Sequence, residues 1–274
     1  MKTTCNLSVS IARFESEKRN SLENLEERYK WFMDWKGSNV DFTKNCVFID
    51  ESGFHTNMRR SFAWSRVGTR PVVKTPVTRA VTHTVLDAIT ADTVIHLSLR
   101  KPAPPKPKPK KAKTNKRKKK DVEAEAAVEE EQENEDVEQY WPGDDKPAPK
   151  GTTSAHYIKF ISEVLDVMDE IGNMEGYYLV MDNCSIHKNK YLQRKIIRRG
   201  YNYMYLPAYS PELNLIENFW SLIKGKMKRV FFAVGETMTS RIRAACEDTH
   251  PSELYAFADH SKRQISKCYK KIEF

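Results

Sequence analysis

The sequence lacks the cysteine and histidine patterns that build disulfide frameworks and zinc sites. Its five cysteines are odd in number, scattered over 274 residues and never form a C-x-x-C pair, and its seven histidines are equally dispersed. We therefore expect ordinary reduced thiols and no zinc centre. The sequence also has no uncharged apolar run that approaches the roughly 20 residues of a membrane-spanning helix, so we expect no membrane partner.

Negative charge is scarcer than positive charge, since 46 Lys and Arg outnumber 37 Asp and Glu and leave a formal net charge of +9. Two opposed blocks contribute little to this excess. Residues 101–120 hold ten Lys and one Arg without an acid, and residues 121–138 hold ten acids without a base. Because these blocks nearly cancel, most of the net charge lies elsewhere in the chain, where it favours a polyanionic partner.

The composition changes abruptly over residues 101–150, first to a Pro- and Lys-rich stretch and then to a Glu- and Ala-rich one. Such a segment cannot bury enough apolar surface to offset the entropy lost on ordering. We predict a disordered, charged insertion within one globular domain. Two interpretations of residues 106–120 stay open: a nuclear localisation signal or DNA tether, and a solvated linker balanced by the acids that follow.

Before the insertion, the hydrophobic pattern predicts one helix followed by strands. Residues 21–36 have apolar side chains at helical spacing, and Asn20 is the predicted N-cap. The apolar residues of this helix are Leu22, Leu25, Tyr29, Phe32 and Met33. Short apolar runs then predict strands at residues 46–50, 61–66, 81–89 and 93–99.

After the insertion, helices and strands alternate. Helical periodicity covers residues 154–171, 188–199 and 211–230, and the strands between them are predicted at residues 177–182 and 201–206. Strands early in the chain and strand–helix alternation later predict an α/β fold, with a mixed sheet flanked by helices.

Two of the predicted strands end in an acid, Asp50 and Asp182. Such ends gather at the C-terminal edge of a sheet, where α/β folds usually form their sites. For either acid taken alone, a turn or a helix N-cap is the commoner role. Their occurrence on two separate strands predicts that both carboxylates lie at one edge.

A third acid, Glu217, lies in the predicted helix 211–230, for which Ser210 is the predicted N-cap. It stands about one residue's rotation from the core face, which is formed by Leu213, Ile216, Trp220, Ile223 and Met227. Three carboxylates at one edge would repel each other unless cations neutralise them. Two Mg²⁺ ions about 4 Å apart would suit such a site and would support phosphoryl transfer on nucleic acid.

The sequence around these acids resembles the mariner superfamily of transposases and their bacterial insertion-sequence relatives. The matching blocks are Phe48-Ile-Asp-Glu-Ser-Gly-Phe54, Met181-Asp-Asn-Cys-Ser-Ile-His187 and residues 206–228. Between Asp182 and Glu217 lie 34 residues, which is the spacing of one major branch of that superfamily. The similarity covers residues 15–100 and 151–274.

The resemblance implies an RNase H-like catalytic domain in which Asp50, Asp182 and Glu217 are the catalytic residues and hold two Mg²⁺ or Mn²⁺ ions. It implies a metal-dependent DNA endonuclease and strand transferase of cut-and-paste transposition. The expected partner is double-stranded DNA, as transposon ends and a TA target, and the protein is expected to act in the nucleus as a homodimer. The expected domain organisation is a remnant linker with its helix at 1–40, the catalytic domain at 41–100 and 151–274, and the insertion at 101–150.

Several other side chains have a functional and a structural interpretation. Basic residues that could contact DNA phosphates, or form a solvated face, are Arg59, Arg60, Lys224, Lys226, Lys228 and Arg229. Asn183 and His187 could orient a ligand or touch DNA, but a capping Asn and a structural His are the commoner roles. Glu51 should point away from Asp50 on a strand. Aromatic residues expected in the core are Trp64, Tyr209 and Trp220.

Members of the family carry a paired helix-turn-helix domain before the catalytic core, whereas only about 20 residues precede the first helix here, too few for a compact domain. We therefore expect a transposase catalytic core that lacks its end-recognition domain. The alternative is a truncated or host-adopted, catalytically silent protein that binds DNA or chromatin. An RNase H-type ribonuclease would share the fold and metals but explains neither the 34-residue spacing nor residues 210–214 (SPELN).

Overall fold

The structure is a computed structural model. It describes residues 16–55, 58, 65–70, 72, 82–100, 153–229, 232–233 and 235–274. The predicted insertion at residues 101–150 therefore lies outside the described residues, as do Arg59, Arg60 and Trp64. Of the predicted strand at residues 61–66, only Ser65 and Arg66 are described, and neither lies in a strand.

A mixed five-stranded sheet forms the centre of the described structure. Along the sheet the strands follow the order β3-β2-β1-β4-β5. β1 pairs antiparallel with β2, which pairs antiparallel with β3, whereas β1–β4 and β4–β5 are parallel pairs. The bounds are β1 Cys46–His55, β2 Thr82–Ile89, β3 Val94–Arg100, β4 Tyr178–Met181 and β5 Asn202–Tyr205.

Helices cover both faces of this sheet, as the sequence predicts. Their bounds are α1 Leu22–Lys36, α2 Ser154–Ile171, α3 Lys190–Arg198, α4 Leu215–Met227, α5 Met238–Glu247 and α6 Pro251–Lys270. Single 3₁₀ turns lie at Ser185–His187 and Pro211–Leu213. None of the helices in the described part of the chain combines the length and apolar character needed to cross a membrane.

The sheet separates two hydrophobic cores because successive side chains of a strand point to opposite faces. On one face, Phe48 and Phe54 of β1 pack with buried residues of α1, α4, α5 and α6. On the other face, Val47 and Ile49 pack with buried residues of α2 and α3. The predicted α/β fold, with helices on both sides of a mixed sheet, is confirmed.

Asp50 lies within β1 and not at its end, so the predicted strand boundary at residue 50 is wrong. Parallel pairing with β4 stops at Phe48 opposite Val180, but antiparallel pairing with β2 continues to His55. The acid therefore lies just beyond the parallel part of the sheet. β2, which is distant in sequence, keeps the second half of β1 extended.

The predicted helix starts also need correction. Ser21 caps α1, since its side chain accepts a hydrogen bond from the Asn24 N–H, and Asn20 instead accepts one from the Arg28 guanidinium. The buried residues of α1 are Arg28 and Trp31, whereas Leu22 and Met33, two of the apolar residues at helical spacing, are 85% and 48% exposed. The polar side chain of Arg28 can be buried because other residues of the chain accept its hydrogen bonds.

The second correction concerns the helix that carries Glu217. α4 begins at Leu215 with Asn214 in the N-cap position, after a separate 3₁₀ turn, and it ends at Met227. Ser210 makes no capping hydrogen bond. It accepts a hydrogen bond from Arg28 Nε over 2.9 Å. All five predicted core residues of this segment are buried, so its predicted face is confirmed.

A buried carboxyl group, Asp87 of β2, lies opposite Asp50 in the β1–β2 pair. Its side chain is fully buried, and its Oδ1 accepts a hydrogen bond from the Ala88 N–H over 2.8 Å. Within the described part of the chain, its Oδ2 has no hydrogen-bond partner. Burial therefore raises the pKa of Asp87 well above its usual range, although the Ala88 N–H opposes this shift.

We expect Asp87→Asn to remove part of the pH dependence of folding. Because the folded pKa is raised, Asp87 stabilises the fold below its unfolded pKa, and this contribution is lost as the pH rises through the folded value. The loss is at most about 1.4 kcal/mol per pH unit, so the variant should gain stability over the wild type as the pH rises from 5 to 7. Urea unfolding in EDTA at both pH values measures the difference, and parallel changes in the two proteins would contradict it.

Candidate active site

The three predicted acids line one cleft. Asp50, Asp182 and Glu217 all face a cavity of about 410 Å³, which is bounded on its other side by residues 206–211. Asp50 comes from β1, Asp182 follows β4 directly, and Glu217 lies in the first turn of α4. The structure therefore brings together side chains that are up to 167 residues apart in the sequence.

The sheet explains the positions of the two aspartates. β1 and β4 run parallel, and their pairing covers Cys46–Phe48 and Tyr178–Val180. Asp50 and Asp182 each lie two residues beyond this paired segment, at the same edge. The edge is the C-terminal one of the parallel strands, as predicted.

The side chain of Asp182 is held from two sides. The Cys184 N–H donates a hydrogen bond to Asp182 Oδ1 over 3.1 Å, and His187 Nδ1 contacts the same oxygen. Burial acts to raise the pKa of Asp182, but His187 and the Cys184 N–H outweigh it, so the pKa lies below its usual value. Asp182 is thus the acid of the three that stays ionised most readily.

His187 is itself fixed in place. Its ring is buried and stacks on the Tyr157 ring with 4.1 Å between centroids, and its carbonyl accepts a hydrogen bond from the Tyr205 hydroxyl over 2.7 Å. The structural interpretation of this histidine is correct, yet the residue also contacts a predicted catalytic acid. The Met181–His187 block was the sequence signal for this contact.

Asp50 and Glu217 have the opposite electrostatic environment. Burial, followed by the nearby Glu217 carboxylate, raises the pKa of Asp50 to about 7, and Asp182 adds to the shift. Burial also raises the pKa of Glu217, although the Lys224 ammonium partly opposes it. Mutual repulsion of this kind is what a bound cation would relieve.

The carboxylates suit a divalent cation by their chemistry, because Mg²⁺ prefers a few carboxylate oxygens completed by water and substrate oxygens. Within the described ranges, however, no three His, Cys, Asp or Glu side chains form a group that could hold a metal ion. The structure therefore shows a cleft lined by the right donors and not a preformed metal cluster.

The remaining predictions for this region have mixed outcomes. Glu51 is exposed and does not line the cleft, as expected. Asn183 is exposed and lines the cleft. Trp220 lies in the core, but Tyr209, predicted to be in the core, is 48% exposed beside the cleft. Tyr209 also has a positive φ of 53°. Contacts between its turn and other parts of the chain must therefore stabilise this conformation.

The basic residues after Glu217 do not form one uniform surface. Lys224 Nζ donates a hydrogen bond to Ser52 Oγ over 2.6 Å, and Lys226 Nζ lies 2.9 Å from Asp248 Oδ2. Lys228 and Arg229 are exposed. The solvated-face interpretation therefore fails for Lys224 and Lys226, and contact of these residues with DNA stays a prediction.

Comparisons with known proteins agree with this geometry. The family model for DDE superfamily endonucleases matches residues 149–239, a segment that contains Asp182 and Glu217. No curated protein matches the sequence. Solved structures provide the second comparison.

The solved structures that resemble this chain include several of Mos1 transposase. The Mos1 paired-end complex with left transposon end matches with a TM-score of 0.67 and 11% identity, over 98% of this chain and 68% of that one. The catalytic domain of Mos1 mariner transposase matches with a TM-score of 0.58 and 10% identity, over 97% and 99% of the two chains. The predicted resemblance is confirmed: residues 149–239 match the DDE superfamily endonucleases, and the chain has the fold of the mariner transposase catalytic domain.

Proposed function

We propose that this chain is the catalytic core of a cut-and-paste DNA transposase, which cleaves phosphodiester bonds and transfers DNA strands with the help of two Mg²⁺ or Mn²⁺ ions. One observation carries the proposal: Asp50, Asp182 and Glu217 line the same cleft. Burial and repulsion between the acids, which together raise the pKa of Asp50 and Glu217, support a role in cation binding. Mos1 structures determined with Mg and with Mn provide a parallel for such ions.

The three acids would have different tasks. Asp182 presents an ionised carboxylate in a fixed orientation, because the Cys184 N–H and His187 hold it. Cations that enter the cleft would favour the ionised forms of Asp50 and Glu217. The ions, when bound, would activate the attacking oxygen and stabilise the leaving one. The exposed side of the cleft leaves room for the DNA strand.

The proposed partner is double-stranded DNA. The Mos1 chains with this fold were solved as complexes that include a paired-end complex with a transposon end and a strand transfer complex. The net positive charge of this chain supports DNA as its substrate. Transposon ends and a TA target, action as a homodimer and a nuclear location complete the proposal.

Nicking of supercoiled DNA tests this function. We expect the purified chain to nick plasmid DNA with Mg²⁺ or Mn²⁺ but not with EDTA, and Asp182→Ala to lower the rate at least 10³-fold, a loss of about 4 kcal/mol of transition-state stabilisation. Asp34→Ala is the matched control, because Asp34 is an exposed acid of α1 without a described partner. It should nick at the wild-type rate.

Two outcomes would contradict the enzymatic proposal. Equal nicking by the wild type and Asp182→Ala would point to a contaminating nuclease. Metal-independent DNA binding with no nicking by either protein would favour the catalytically silent DNA-binding alternative. Inductively coupled plasma mass spectrometry or calorimetry with Mn²⁺ alone would then show whether the cleft binds cations at all.

A further inference from the structure

The basic residues of α3 fall into two sets. Lys195 and Arg199 face α2, where Lys195 Nζ donates to Ser162 Oγ over 2.7 Å and Arg199 pairs with Asp166 and Asp169. The second set consists of Lys190, Arg194 and Arg198, which are exposed and make no ion pair or hydrogen bond with any described residue. Only Lys195 and Arg199 therefore make side-chain contacts that stabilise the fold.

The second set lines a surface groove of about 490 Å³ between α3 and β5. The other lining residues are Gln193, Ile197 and Tyr203, so no acid faces the groove. Ile197 is 53% exposed. A groove with three unpaired cations, an amide and the edge of a tyrosine has the chemistry of a site for a polyanion.

The three cations form a row along the helix. They are spaced four residues apart, so successive charges lie about 6 Å apart and the row is about 12 Å long. One strand of duplex DNA carries a phosphate about every 3.4 Å along its axis. The row could therefore follow three or four consecutive phosphates of one strand.

The start of α3 is close in sequence to the active-site cleft. α3 starts eight residues after Asp182, with Asn189 as its N-cap, and it runs back along β5, which is the edge strand of the sheet. Lys190 at the start of α3 is nearest to the cleft in sequence, and Arg198 marks the far end of the row. A duplex in the cleft could thus extend along this edge.

We propose that the groove between α3 and β5 binds the sugar-phosphate backbone of duplex DNA outside the scissile position. This inference rests on the proposed function, because it takes DNA as the substrate of the adjacent cleft. Lys190, Arg194 and Arg198 contact phosphates, and Gln193 donates further hydrogen bonds. The contact positions DNA without reading its sequence.

The test is binding of a fluorescent 30-base-pair duplex, measured by anisotropy in EDTA over a series of salt concentrations. The triple variant Lys190→Gln, Arg194→Gln, Arg198→Gln should bind at least about fivefold more weakly at 0.1 M salt and lower the slope of log K against log [salt] by about 2 to 3. The control is Lys36→Gln, Arg243→Gln, Lys270→Gln. These three cations are exposed and also have no described partner.

Each triple variant loses three positive charges. An effect of net charge alone would therefore weaken DNA binding equally in both. Equal affinities and equal slopes for the two variants would overturn the proposal. Arg194→Gln alone, with a slope change near 0.9, keeps the test valid if the triple variant unfolds. EDTA separates binding from nicking, which is measured in the plasmid assay with Mg²⁺. A selective slope change in EDTA together with no nicking in Mg²⁺ would uphold the groove and reject the endonuclease, and nicking in Mg²⁺ without a slope change in EDTA would do the reverse.

Discussion

Replacing Asp50 with Asn is expected to stabilise the metal-free protein by about 4 kcal/mol at pH 8 and to abolish metal-dependent nicking. The half-buried carboxyl group lies near two other acids, and desolvation together with their repulsion raises its pKa from 3.8 to about 7. Asn has almost the same shape as the protonated acid but cannot ionise. It therefore keeps the packing of Asp50 without its repulsion from Glu217 and Asp182.

The sign of this effect follows from the two pKa values. Unfolded Asp50 ionises near pH 3.8, whereas the folded group stays protonated until about pH 7. Its contribution to stability is fully present below pH 3.8 and is lost as the pH rises to 7. The gain of Asp50→Asn should therefore grow by about 1.4 kcal/mol per pH unit up to pH 7 and then level off.

Urea unfolding at pH 5, 6, 7 and 8 in EDTA measures this profile. Added Mg²⁺ should stabilise the wild type more as the pH rises, because the acids must lose protons to bind it, and it should affect Asp50→Asn much less. Asp34→Asn, an exposed change of equal chemistry, serves as the control. A variant that shows the wild-type pH profile would contradict the prediction.

Much of the fold was accessible from the sequence because its signals are local. Apolar runs such as Tyr178–Met181 identify strands, and the spacing of Ile216, Trp220 and Ile223 identifies the buried face of α4. The position of Asp50 and Asp182 at the same edge of the sheet follows from the direction of the strands that carry them. Their spacing and the residues around Asp182 and Glu217 then point to the same chemistry.

The sequence predictions are wrong where contacts with residues distant in the sequence determine the local structure. Asp50 is not at a strand end, because β2 keeps β1 extended to His55. Ser210 does not cap a helix, because Arg28 takes its side-chain oxygen. Neither partner is visible from local periodicity. The elevated pKa of Asp87 likewise depends on complete burial, which its neighbours in sequence do not reveal.

Arg28 links α1 to the turn beside the cleft. Its side chain is 1% exposed, and its guanidinium donates to Ser210 Oγ over 2.9 Å and to the carbonyl of Tyr209 over 2.8 Å. It also donates to the Arg19 carbonyl over 2.7 Å and lies 4.4 Å from the centroid of the Phe274 ring. These contacts explain how Tyr209 keeps a positive φ, which is rare for a bulky residue.

We expect Arg28→Met to lower the free energy of unfolding by about 3–5 kcal/mol, since it leaves buried oxygens of the Tyr209–Ser210 turn without donors. The melting temperature should fall by roughly 6–20 °C for a domain of this size. Lys30→Met is the matched control, because Lys30 is an exposed cation of the same helix, and it should change stability by no more than about 0.5 kcal/mol. Similar losses in both variants, measured by thermal and urea unfolding, would show that the Arg28 contacts do not hold this turn. A selective loss in Arg28→Met would tie the stability of the cleft wall to α1, a helix far from Asp182 and Glu217 in the sequence.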